Sequence, residues 1–137
     1  MRPNTKYRQS DARDDGAHPD FSGDNRDQLG YLAWCTLWLS QVARVLVPGA
    51  PAAVWTDWRQ LPVTTDAFQA GGLTWRGIGV WTKLNGSRPQ LGRFRNDAEF
   101  LVWGSAGPWR DYDAAEVLPG TWECAPVPAS ARVHLTE

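Results

Sequence analysis

A chain of 137 residues with 42% apolar content has room for one domain and a real core. Its formal net charge of −1 excludes a protein that is basic throughout, so affinity for a polyanion must come from a local gathering of cations. No apolar run approaches the ~20 residues that span a bilayer, and the polar RPNTKYRQSD after Met1 has no hydrophobic signal core, so a cytoplasmic protein with no membrane partner is expected.

Residues 1–28 are polar and mixed in charge, with Tyr7 and Phe21 as their large apolar anchors. That composition forms no core of its own and reads as a tail or a loop laid over something else. From Leu29 to Val47 the pattern changes. Leu32, Cys35, Leu39, Val42 and Leu46 recur at spacings of three and four, the stripe of a buried helix face, with Asp27 placed to cap it. Trp34 and Trp38 widen the apolar sector, so a mostly covered helix is expected, ended by Pro48–Gly49.

APAAVWT, residues 50–56, is a near-continuous apolar run. It suits a strand covered on both faces, as in a parallel sheet, better than a half-exposed antiparallel one. Pro62 fits the first turn of a second helix, PVTTDAFQA, which Gly71–Gly72 ends. LTWRGIGVWT (73–82) and EFLVWG (99–104) read as further strands, giving an α/β core over residues 29–107 with crossover connections. Residues 108–137 are turn-rich, with a short strand expected near Thr121–Ala125.

Charge is unevenly placed. From Ala67 through Asn96 there is no acidic residue, while Arg76, Lys83, Arg88, Arg93 and Arg95 are basic. Arg76 lies in a strand pattern and reads as structural. The others fall in the loop 83–96, rich in Gly, Pro, Asn and Ser, where a solvated loop and a phosphate-binding loop are both consistent with the letters. The two cysteines and two histidines have no metal-ligand spacing, and Cys35 reads as a buried free thiol.

The end of the APAAVWT run carries Asp57, Trp58 and Arg59 in succession. In a parallel α/β sheet this end faces the ligand crevice, which makes Asp57 and Trp58 candidates for a base or cofactor pocket. The structural alternative is that Asp57 caps the next helix, Trp58 packs locally, and Arg59 pairs with Asp57 or Asp66. In FSGDNRDQ, Asp24 and Asn25 are candidate ligand contacts, although Asx turns and capping explain the same letters.

Four stretches together resemble a known family: FSGDNRDQ at 21–28, TDWRQLPVTTDAFQAGG at 56–72, GRFRNDAEFLVWGS at 92–105 and HLTE at 134–137. They are similar to the S-adenosylmethionine-dependent DNA N4-cytosine and N6-adenine methyltransferases, in the group often found in phages and prophages. The resemblance runs from about Lys6 to Glu137. It implies a Rossmann-like α/β sheet with flanking helices, incomplete at both ends, and methyl transfer to an exocyclic amino group of double-stranded DNA. It also implies a role beside the cofactor for His134, Thr136 and Glu137, and DNA contacts for Lys83, Arg88, Arg93 and Arg95. The family's Asp-Pro-Pro-Tyr and Phe-x-Gly-x-Gly motifs are absent, and Glu137 falls where Lys-Pro would follow. The expectation is therefore the middle portion of a methyltransferase, inactive by itself. A noncatalytic DNA-binding module or a remnant without independent activity is the alternative.

Overall fold

The computed structural model describes residues 27–84, 91–109 and 116–125. Helix α1 spans Gln28–Val45; its N-cap is Asp27, whose Oδ1 accepts the Gly30 N–H at 2.7 Å. Strand β1 is Pro51–Thr56, helix α2 is Leu61–Ala70, and strands β2, β3 and β4 are Thr74–Lys83, Ala98–Ser105 and Thr121–Cys124. Pro62 lies in the first turn of α2, and Gly72, at φ 91°, takes the left-handed conformation that lets the chain leave the helix.

The sheet order is β1-β3-β2-β4. β3 runs antiparallel to both β1 and β2, while β4 is parallel to β2. β1, β2 and β4 therefore point the same way, and the β1–α2–β2 unit crosses over β3. This corrects the reading of β1 as a two-sided strand of a parallel sheet. Its burial alternates, with Ala52, Val54 and Thr56 inward and Pro51, Ala53 and Trp55 exposed. The apolar run misled because its outward residues, Pro51, Ala53 and Trp55, are apolar too.

Both helices pack on one face. Phe68 of α2 is fully buried against Gly104 of β3, where a Cβ would come within 2.8 Å of the phenyl ring and 1.9 Å of the Thr74 carbonyl oxygen. α1 lies on α2, with Leu39 against Gly71 so closely that a Cβ there would sit 2.6 Å from the Leu39 Cβ. Cys35, Leu39, Ala67, Phe68, Leu73 and Val102 make the core. The expectation of a mostly covered α1 fails: Leu29, Trp34, Leu37 and Val45 are all exposed, because the packed face of α1 is limited to the stripe of Tyr31, Leu32, Cys35, Trp38, Leu39 and Ala43.

The opposite face of the sheet carries indoles instead of a helix. Trp55, Trp81, Trp103 and Trp122 share it by register, and Trp55 meets Trp81 and Trp122 edge-on at 6.2 and 6.4 Å. No described helix is long and apolar enough to cross a membrane.

Candidate functional site

The shared direction of β1, β2 and β4 brings their C-terminal ends to one edge, together with the start of β3. Asp57, Trp58 and Arg59 follow β1 there. Lys83 closes β2, and residues 91–97 lead into β3, held by the Lys83 N–H to Asp97 O bond of 2.6 Å. The fold therefore places two groups of residues, distant in sequence, along one edge of the sheet.

The turn after β1 is held by buried polar groups. Asp57 Oδ1 accepts the Gln60 N–H at 2.7 Å, and the Gln60 carbonyl accepts the Thr64 N–H at 2.7 Å. Below them the hydroxyls of Thr56 and Thr64 meet at 3.0 Å, both residues being buried. Asp57 thus closes the turn that precedes α2 and does not cap the helix as anticipated, since the N-cap is Gln60, with no side-chain cap bond. Trp58 is 48% exposed, and the Arg59 guanidinium lies 4.9 Å from its ring centroid. A rigidly held carboxylate beside an exposed indole can accept hydrogen bonds from hydroxyls and stack against a flat ring.

Of the residues expected to contact DNA, Arg93 and Arg95 are exposed at this edge. Lys83 differs from the expectation of a loop cation. It is the last residue of β2, its ammonium is paired with Glu99 on β3, and it lies 5.6 Å from the Trp81 ring centroid. Arg76 is structural, as its strand position suggested: Nε donates to Ser105 Oγ at 2.8 Å and Nη2 to Gly107 O at 3.2 Å. Asp24, Asn25, Arg88, His134, Thr136 and Glu137 lie outside the described residues. Glu99 and the Thr56–Thr64 pair escaped sequence reasoning, since only strand register brings Glu99 to Lys83.

No family model and no curated protein matches the sequence. Solved structures do. M1.HpyAVI in its complex with SAM matches with a TM-score of 0.54 and 18% identity over 74% of this chain and 52% of its own. TTHA0409 of Thermus thermophilus, assigned as a DNA modification methylase, matches with a TM-score of 0.54 and 15% identity over 73% of this chain and 53% of its own. The likeness shows the fold: this chain shares the α/β sheet and flanking helices of these two structures. The chain spans about half the length of either structure.

Proposed function

We propose that this chain is part of an S-adenosylmethionine-dependent DNA methyltransferase acting on the exocyclic amino group of adenine or cytosine. The observation that carries the proposal is the meeting of Asp57 and Trp58 with the cationic 91–97 segment on one edge of a methyltransferase-type sheet. Ligands of open α/β sheets bind at the carboxyl ends of the strands, where these residues stand.

The described residues fit the nucleoside end of the cofactor. Asp57 offers a carboxylate oxygen to ribose-type hydroxyls, and Trp58 offers a stacking surface to a purine. When bound, S-adenosylmethionine supplies the electrophilic methyl group. What this chain contributes is orientation: Asp57 and Trp58 hold the ligand at the strand end, while Arg93 and Arg95, with Arg88 in the same basic segment, hold the phosphate backbone of duplex DNA beside it. His134, Thr136 and Glu137 belong beside the cofactor on the same reading, as do Asp24 and Asn25. The sequence contains no Asp-Pro-Pro-Tyr to grip a flipped base, so the chain by itself transfers no methyl group.

That absence also favours a second reading, a noncatalytic DNA-binding module. Two measurements on the full chain separate the readings: equilibrium dialysis against tritiated S-adenosylmethionine, and fluorescence anisotropy of a labelled duplex across a salt series. The methyltransferase reading expects cofactor retention and DNA affinity that falls linearly in log–log form as salt rises. DNA binding without cofactor retention leaves the module. Failure of both sinks both readings.

A further inference from the structure

Between β2 and β3 the chain reads Leu91-Gly92-Arg93-Phe94-Arg95-Asn96, and Phe94 is 100% exposed. Several indoles on and beside the described sheet cover part of their surface on one another: Trp55 on Trp81 and Trp122, Trp103 on Trp109 at 5.9 Å. Phe94 makes no ring contact with any described residue. Gly92 turns the chain at φ 73°, and a Cβ added there would meet nothing within 4 Å, so the backbone is open to solvent at that point.

Leaving a phenyl ring wholly in water forgoes about 1.5–3 kcal/mol that burial would return. Its neighbours on both sides are guanidinium-bearing, and the run from Ala67 to Asn96 contains no acid. A ring flanked by two cations and facing away from the protein is suited to a partner that is flat, apolar on its faces and negatively charged along its border. A base stack between phosphates has that chemistry.

We propose that Phe94 is a wedge that enters a gap in the base stack of duplex DNA, with Arg93 and Arg95 on the flanking phosphates. The inference rests on the DNA-binding reading and adds a duty to it. When a base leaves the helix, the stack it vacates is open to an apolar group, and Phe94 stands at the same end of the sheet as Asp57 and Trp58. A filled gap keeps the extruded base from returning, so the wedge acts as a positioning residue.

The test uses the full chain and two labelled duplexes of one sequence, one intact and one with a central abasic site that presents a ready-made gap. The abasic duplex is expected to bind about tenfold more tightly. Phe94→Ala is expected to erase that preference, Phe94→Trp to keep it, and neither to change the slope of affinity against salt. Phe94 is fully exposed, so both variants fold. Equal affinity of the wild-type chain for the two duplexes overturns the wedge and leaves the DNA-binding reading standing. A preference that survives Phe94→Ala also overturns it. No binding to either duplex removes both the wedge and the reading beneath it.

Discussion

Gly79 and Trp122 compete for one volume: a Cβ on Gly79 would lie 2.6 Å from the indole Cζ3 of Trp122. Gly77 stands in the same relation to Trp103, with 2.8 Å to the indole Nε1. The two glycines of β2 are therefore seats on which indoles from β4 and β3 lie down. Lying across Gly79, the Trp122 ring reaches Trp55 on the far strand, 6.4 Å between centroids.

Alanine at Gly79 and at Gly104 should differ sharply. At Gly79 the obstacle is the far end of a part-exposed indole on a four-residue edge strand, which can swing aside; about 1 kcal/mol is expected, with loss of the near-ultraviolet circular dichroism of the Trp55–Trp122 pair. At Gly104 the obstacle is the Thr74 carbonyl at 1.9 Å with the buried Phe68 ring behind it, so the cost should reach about 3 kcal/mol or more. Urea unfolding of both variants checks the order. Equal costs would mean that the indole is held as firmly as the backbone.

The antiparallel register of β1 makes a second contrast. Ala106 N donates to Ala50 O at 2.9 Å, and bonded pairs alternate along an antiparallel ladder, so Val54 turns its N–H toward Val102 and Ala53 turns its N–H away from β3. Ala53→Pro should be tolerated within about 1 kcal/mol, as proline is on the open side of an edge strand. Val54→Pro removes a ladder bond and leaves the Val102 carbonyl unpaired, at about 3 kcal/mol or a failure to fold. If the two variants melt alike, this register is wrong.

Local chemistry made the element boundaries readable from sequence: Asp27 as a cap, Pro62 in a first turn, Gly71–Gly72 as a stop. Each of these signals acts within a few residues. Strand order could not be read that way, because PAAVWT contains nothing that distinguishes β3 from another neighbour, and its outward Pro51, Ala53 and Trp55 imitate a strand covered on both sides. The glycines of GIG lie inside the strand reading of 73–82, and they seat rings that arrive from β3 and β4. At the candidate site, the position of Asp57 and Trp58 at a strand end was legible. The pairing of Lys83 was not, since Glu99 lies sixteen residues on and outside the acid-free run.

On the proposed reading Asp57 has two separable duties. As acceptor for the Gln60 N–H it holds the turn, a role asparagine can keep, so Asp57→Asn should cost under about 0.5 kcal/mol of stability and Asp57→Ala about 1. As a charged acceptor for ligand hydroxyls it has no neutral equivalent, and both variants should weaken S-adenosylmethionine retention by about tenfold. Thermal melts and equilibrium dialysis on the same samples separate the duties. Full retention by Asp57→Asn would remove the carboxylate charge from the ligand site.

Glu99 holds the charge of Lys83 against the sheet, and on the proposed DNA-binding reading this makes it a brake on affinity. The pair is partly exposed, with side-chain accessibilities of 25% and 27%, so breaking it by Glu99→Gln should change stability by less than about 1 kcal/mol. The freed ammonium stands at the end of β2, along the edge that carries Arg93 and Arg95, and can neutralise a phosphate that Glu99 now denies it. The slope of log affinity against log salt should steepen by about 0.9 in Glu99→Gln and become shallower by about 0.9 in Arg93→Ala, as one counterion more or fewer is released. Anisotropy titrations of one duplex at four salt concentrations read both slopes. An unchanged slope in Glu99→Gln, beside a shallower one in Arg93→Ala, would confine the DNA contact to the 91–97 segment and leave Lys83 a structural cation.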